Sequence, residues 1–200
     1  PAIVKFIGVH LYNTTIKFDY SLNYANPTIF LEYLSNKSIQ SHIDKYKLDI
    51  PPVKRQICMV GITAAIRFLH SRNILHRSLN PNSIWLNEDF HPKIFDFSVS
   101  RQYNTGKDTP KYTNIIDDSV YYTAPEVFEE LEQYDDAIDI FSLGRLFYLM
   151  ITGYEPFKAT IGKKKDKNYH TAPLKLQTLI VNDSAKPEYP GNVSKEFQAL

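Results

Sequence analysis

Two hundred residues, 43% of them hydrophobic and 14% aromatic, are enough for one domain with a substantial core. Lysine and arginine number 23 against 22 aspartates and glutamates, a formal charge of +1, which argues against a broad basic face gripping a nucleic-acid backbone. The single cysteine, Cys58, excludes an internal disulfide, argues against a zinc cluster or a secreted disulfide framework, and fits a reducing cytoplasmic setting best.

The chain opens on Pro1-Ala2-Ile3-Val4-Lys5, which lacks signal-peptide character, and a proline in first place suggests a fragment. No apolar run anywhere reaches the roughly 18 residues of a membrane span. Ile3 to Leu11 and Thr28 to Leu34 are rich in β-branched and apolar residues, and the turn-like Asn23-Tyr24-Ala25-Asn26-Pro27 lies between them, so a hairpin is expected. From Lys54 to His70 apolar residues recur at helical spacing on two neighbouring sides, Ile57, Gly61, Ala64 and Phe68 on one and Cys58, Ile62, Ile66 and Leu69 on the other. So broad an apolar face predicts a buried helix, started at Pro51-Pro52 and exhausted at Ser71-Arg72-Asn73, with Cys58 packed in it as a core residue. Short strands are expected at Ser83 to Leu86 and Pro92 to Phe95. A second buried helix should run from Ala137 to Thr152 with Gly153 as its C-cap.

Three signatures fall in order along this framework: His76-Arg77-Ser78-Leu79-Asn80-Pro81-Asn82-Ser83, then Asp96-Phe97-Ser98, then Ala124-Pro125-Glu126. Each alone is weak, but the ordered set resembles the catalytic loop, magnesium loop and activation-segment end of protein kinases. Asp139-Ile140-Phe141-Ser142-Leu143-Gly144 and Thr152-Gly153-Tyr154-Glu155-Pro156-Phe157 extend the resemblance over nearly the whole chain. Ile3 to Val9 and Leu31-Glu32-Tyr33-Leu34 look like late strands of the small lobe, with a flavour of the tyrosine-kinase-like group. The resemblance implies an α+β, bilobal protein-kinase-like fold, cut short at both ends. Residues 1–34 would be the end of the small lobe and the hinge, and 35–200 most of the mainly helical large lobe.

The departures from the family pattern bear on function. Ser78 stands at the position of the catalytic aspartate, and a serine hydroxyl is no base near neutral pH; loss of such a base forfeits roughly 10²- to 10⁴-fold in rate. Asn80 replaces the catalytic-loop lysine and so removes a positive charge facing the transferred phosphate. Ser83 stands where an asparagine would hold the second magnesium, while Asp96 keeps the carboxylate that would hold the first. Ser98 replaces the glycine after Asp96-Phe97, and Asp118 stands where a glycine precedes Ser119. The sequence contains no Gly-x-Gly. By the same resemblance, Leu31, Glu32, Leu34 and Trp85 would line an ATP site, with the Trp85 indole at the floor under adenine, either filling the pocket or stacking on a base.

Structural roles are implied for His76 and Phe97, joined by Phe6 in a hydrophobic spine anchored by Asp139. Tyr121 and Tyr122 would form a wall facing a substrate peptide, and Ser119, Tyr122 and Glu126 mark the activation segment. Arg77 would face phosphorylated residues there, with Thr109, Tyr112, Thr113, Ser119 and Tyr121 as acceptors. The run Lys163-Lys164-Lys165-Asp166-Lys167 reads as a solvated loop. Taken together, these residues lead to the expectation of a pseudokinase acting through protein partners, with neither nucleic acid nor membrane as partner. ATP and magnesium would be its ligands if any nucleotide binds. The rival expectation is a serine/threonine kinase of low activity. A chain lacking both ends of such a fold is also expected to expose apolar surface.

Overall fold

The computed structural model describes residues 2–10, 28–46, 48, 50–103, 117–128, 135–157, 172–181, 186–189 and 193–195. Strands β1 (Phe6–His10) and β2 (Thr28–Leu31) pair antiparallel, Phe6 opposite Leu31 and His10 opposite Thr28, which is the hairpin expected from two β-branched, apolar stretches about a turn-like segment. Its turn, Asn23 to Pro27, lies outside the described residues. Among the described residues this ribbon stands as a sheet of two strands only. Phe6, Ile7, Val9, Ile29 and Phe30 are accordingly each at least half exposed. Phe6 therefore does not join the spine predicted for it: it is 59% exposed on β1.

Next come β3 (Asn36–Ser38), α1 (Ile39–Tyr46), α2 (Pro52–His70), β4 (Ile74–Leu75), β5 (Ile84–Leu86), β6 (Pro92–Ile94) and β7 (Arg101–Gln102). Strands β3, β5 and β6 form one antiparallel sheet in that spatial order, and β4 pairs with β7. A 3-10 helix (Asp117–Tyr122), α3 (Pro125–Phe128), α4 (Ala137–Thr152) and α5 (Ala172–Val181) complete the described elements. The result is the α+β architecture expected. No helix among the described residues is long and apolar enough to cross a membrane.

Helix α2 begins with proline in its first turn, where a missing N–H costs no helical hydrogen bond. Cys58, Ile62, Ala65, Ile66 and Leu69 are buried on one side. Ala64 and Phe68, expected inside, are exposed, because periodicity alone does not say which of two apolar sides meets the core. The Cys58 thiol donates to the Phe90 carbonyl at 3.0 Å, and burial pushes its pKa up to about 12, so it remains a packed thiol. Gly61 lets the helix lie against β6: a Cβ there would come within 2.6 Å of the Pro92 ring.

Helix α4 has the predicted limits. Gly153 ends it in the left-handed region (φ 76°), its N–H bonding the Leu149 carbonyl at 2.8 Å. The two long helices are tied by Arg55 of α2, which donates to the Ile50 carbonyl at 2.7 Å and to the Met150 carbonyl at 3.3 Å. That places a cation at the negative end of α4. Arg145 of α4 is buried between the rings of Phe141 (4.8 Å) and Phe157 (4.5 Å); burial lowers its pKa to about 10, which keeps it charged at neutral pH. The main core joins α2, α4, β5, β6, the 3-10 helix and Leu176 and Ile180 of α5.

Candidate active site

The site is built where β4 ends. Pairing of Ile74 with Gln102 and Leu75 with Arg101 brings the segment after β6 alongside the loop that starts at His76. The carboxylate of Asp139, fully buried in the first turn of α4, accepts the His76 amide at Oδ2 and the Arg77 amide at Oδ1, both at 2.8 Å. His70 Nε2 approaches Oδ2 at 2.9 Å, and its Nδ1 lies 3.6 Å from Asp136. A buried carboxylate with this many donors is well satisfied and fixes the path of the loop. The clamp holds Arg77 at a positive φ of 69°, a backbone state that costs a non-glycine residue about 1–3 kcal/mol.

The His76 ring sits edge-on to Phe97 with centroids 5.0 Å apart, and its Nε2 lies 3.1 Å from the Phe95 carbonyl. Burial lowers its pKa, with Asp139 opposing part of the shift, so the imidazole is neutral and Nε2–H donates. The Ser100 hydroxyl donates to the His76 carbonyl at 3.1 Å. His76, Phe97 and Asp139 thus form one connected structural unit.

Beyond Arg77 the side chains of Asn80 and Ser83 bond within the loop, while the Pro81 and Ser83 carbonyls accept the Gln40 and Phe95 amides at 3.1 and 2.8 Å. Asn80 Nδ2 donates to the Ser78 carbonyl at 2.9 Å and lies 3.4 Å from the Ser78 hydroxyl. Its Oδ1 accepts the Asn82 amide at 2.9 Å. The Ser83 hydroxyl accepts the Asn80 amide at 3.0 Å and donates to the Asn80 carbonyl at 2.9 Å, and Ser83 is 1% exposed. Asn80 is buried with it. Sequence reasoning located these three positions but did not foresee that they would be joined. Short polar side chains two or three residues apart are the available signal, since such residues readily bond nearby backbone.

Asp96 is exposed with φ 61°, and its Oδ1 accepts the Ser98 hydroxyl at 2.6 Å and the Ser98 amide at 3.3 Å. Trp85 is half-buried on β5, its flanking residues Ile84 and Leu86 turning into the core, and its ring lies 5.9 Å from that of Phe95. Opposite it on β6 stands Lys93, whose ammonium bonds the Glu32 carboxylate at 2.7 Å. The Lys5 amide reaches the same Glu32 oxygen at 2.7 Å. The Lys93 ammonium holds the Glu32 carboxyl below its usual range. This bridge across 61 residues had no signal in the sequence. Leu34 is buried and Leu31 half-buried.

Tyr121 and Tyr122 do not form an open wall: they are 4% and 2% exposed, because the 3-10 helix packs its aromatic area into the main core. Ser142 of α4 donates to the Tyr122 carbonyl at 2.7 Å, and burial raises the Tyr122 hydroxyl well above its ordinary pKa. Tyr121 is for the same reason no accessible phosphate acceptor as placed here. Glu126 is half-buried in the first turn of α3. Thr109, Tyr112, Thr113, the side chains of Asp118 and Ser119, and the lysine run from Lys163 lie outside the described residues.

The resemblance implies two magnesium ions and a nucleotide at this loop. Among the described residues no three His, Cys, Asp or Glu side chains cluster to hold a metal ion. The Ser83 hydroxyl is engaged on both its donor and acceptor sides, and Asp96 is the one carboxylate left at the expected positions. This donor set does not fit a two-metal phosphate centre.

Residues 1–200 match the family model of the protein kinase domain, and the chain belongs to that family. It is 29% identical over 158 residues to the developmentally-regulated protein kinase 1 of Dictyostelium discoideum, covering 78% of this chain and 20% of that protein. It is 26% identical over 197 residues to the serine/threonine-protein kinase RUNKEL of Arabidopsis thaliana, covering 92% of this chain and 13% of the relative. A probable serine/threonine-protein kinase of D. discoideum is 26% identical over 198 residues, 98% of this chain and 34% of its own length. The chain therefore spans about a third or less of these relatives.

Proposed function

We propose that this domain is a catalytically impaired protein kinase, a pseudokinase, acting in the cytoplasm through protein-protein contacts or by biasing a partner allosterically. One observation carries the reading. At the positions of the phosphate-facing cation and the second metal ligand, the Asn80 amide group is engaged with the Ser78 carbonyl and the Asn82 amide, and the Ser83 hydroxyl with the Asn80 backbone. At the position of the base the Ser78 hydroxyl is too weak a base to take a substrate proton near neutral pH, and a neutral Asn80 amide used in this way does not neutralise a transferring phosphate. The bulk of Trp85 at the position of the adenine floor adds support, its indole lying 5.9 Å from the Phe95 ring. The tyrosine-kinase-like subgroup rests on Ile3 to Val9 and Leu31 to Leu34 and stays part of this proposal.

A second reading, a serine/threonine kinase of low activity, is favoured by one feature: the exposed Asp96 carboxylate, which could hold one magnesium ion. Positioning and electrostatics supply much of phosphoryl transfer, so one metal could sustain slow turnover. Calorimetric titration of ATP, with and without magnesium, into the longest natural form of the protein separates the two. The pseudokinase reading expects no magnesium-dependent binding; binding strengthened by magnesium moves the enzyme reading to the front. Phosphotransfer gained by Ser78→Asp, Asn80→Lys and Ser83→Asn together would locate the impairment in this loop alone.

A further inference from the structure

The buried cation of α4 is gripped by aromatic rings and has no counter-charge. Arg145 is 9% exposed, and its guanidinium carbon stands 4.8 Å from the centroid of the Phe141 ring and 4.5 Å from that of Phe157. Phe141 lies one turn earlier on the same helix. Phe157, past the Gly153 cap, is held at φ 60°, a left-handed backbone state that a bulky residue adopts only where its surroundings impose it. The imposed backbone brings the second ring onto the guanidinium.

Rings hold a guanidinium without answering its N–H groups. Among the described residues Arg145 makes no ion pair, and its Nη1 is buried with no hydrogen-bond partner. The groups that act on it electrostatically are two phenols, Tyr148 and Tyr189, and neither is a carboxylate. Tyr148 already donates its hydroxyl to the Glu188 carbonyl. A charged group taken out of water without a partner is costly, so buried arginines are ordinarily matched by an anion. With rings packed against it, the group is left to bond through its N–H fork, in its own plane. A planar carboxylate presents two oxygens at the spacing of that fork.

We propose that Arg145 is the receiving group of a carboxylate-binding site between α4 and Phe157. Its ligand is one carboxylate, that of a free small acid or that of a protein side chain. The site does not involve the Asn80–Ser83 loop, so it holds whether or not the domain transfers phosphate.

The test uses the longest natural form of the protein and two variants. Arg145→Met keeps length and apolar contact without charge; Arg145→Lys keeps a charge between the rings without the fork. Thermal unfolding is followed at pH 7 in sodium acetate and in sodium chloride of equal ionic strength. If the ligand is a free acid, acetate raises the transition saturably and chloride does not. Half the effect then needs at least about tenfold more acetate in Arg145→Lys, and Arg145→Met gives no response. If the ligand is a protein side chain, the site is already filled: the two salts act alike, and Arg145→Met unfolds about 4 °C or more below the parent. That difference shrinks as pH falls from 7 to about 3.5. A carboxylate on arginine has its pKa lowered, so the stability it adds is present above its ordinary ~4 and lost as it is protonated below. Ring stacking alone keeps the difference constant, since the guanidinium stays charged and phenols keep their protons over this range. Subtracting variant from parent cancels the titration of the Asp139 cluster. If Arg145→Met does not fold, Arg145→Lys carries both arms. An acetate response retained by Arg145→Met overturns the proposal. So does a response to acetate no different from chloride, together with a parent-to-variant difference that is absent or does not move with pH; Arg145 is then a stacked packing residue only.

Discussion

In the first half of the loop after β4, the amides of His76 and Arg77 bond one carboxylate 63 and 62 residues further along the chain. In the second half, Asn80, Asn82 and Ser83 bond neighbours two or three residues away. The first half is held by a distant side chain, whereas the second uses its own side chains locally and meets the rest of the fold through backbone alone, its Pro81 and Ser83 carbonyls accepting the Gln40 and Phe95 amides. Two ways of holding a loop thus meet in one segment: a buried carboxylate from α4 fixes His76 and Arg77, while Asn80 and Ser83 brace their neighbours. Nothing in the long-range anchor depends on what stands at Ser78, Asn80 or Ser83, so a chain can keep the fold of a kinase domain after those positions change.

The most severe way to break the contrast is to remove the anchor. Asp139→Ala should cost about 3–5 kcal/mol, since it strands the buried His76 amide, the Arg77 amide and His70 without their acceptor. Urea unfolding measures this, and Asp139→Asn should recover part of the loss by keeping one acceptor oxygen. A loss under ~1 kcal/mol would mean that the two halves of the loop are held alike.

The next effect should be smaller. Ser83→Ala removes one hydroxyl that closes on both the amide and the carbonyl of Asn80, and should cost about 1–2 kcal/mol in the same measurement. A loss equal to that of Asp139→Ala would make the second half as much an anchor as the first.

A pH series sharpens the comparison on the anchored side alone. Burial lowers the His76 pKa in the folded state, while the unfolded histidine titrates near its ordinary ~6.5. Between those values the unfolded chain binds more protons, so stability rises with pH. His76 thus contributes stability that is present above ~6.5 and lost as pH falls below it, at no more than about 1.4 kcal/mol per pH unit. His70, Asp136 and Asp139 lie in the same cluster, so the slope is assigned by difference. Unfolding free energies from pH 7 to 5 should show a flatter slope in His76→Phe than in the parent.

How much of this was legible follows the same division. The limits of α4, the Gly153 cap and the hairpin are local patterns, located by an apolar run, a glycine at the helix end and two β-branched stretches about a turn-like segment. The order of the three motifs led to the fold class and to His76, Phe97 and Asp139. What stayed hidden depends on which surface finds a partner. Phe6 and Phe68 are apolar yet exposed, whereas Tyr121 and Tyr122 carry hydroxyls yet are buried. Residue type alone cannot separate those cases, because burial of an aromatic ring is decided by the element packed on it. The Lys93–Glu32 bridge joins distant residues by an ordinary pairing of opposite charges, which any lysine and glutamate in the sequence would suggest equally well.

The smallest expected effect isolates burial as the cause. Ser98→Ala makes the same chemical change as Ser83→Ala, hydroxyl to hydrogen, and also removes a short bond, 2.6 Å to Asp96. Both partners here are exposed, so water replaces the lost donor at once, whereas at Ser83 the Asn80 amide and carbonyl are left facing a dry interior. Ser98→Ala should therefore change the unfolding free energy by no more than ~0.5 kcal/mol. Removing the hydroxyl also leaves Asp96 Oδ1 more open to a cation, so magnesium or manganese affinity measured by calorimetry should rise or hold, not fall. A drop in cation affinity would place the Ser98 oxygen among the ligands, and a stability loss matching that of Ser83→Ala would show that bond geometry, rather than burial, governs this loop.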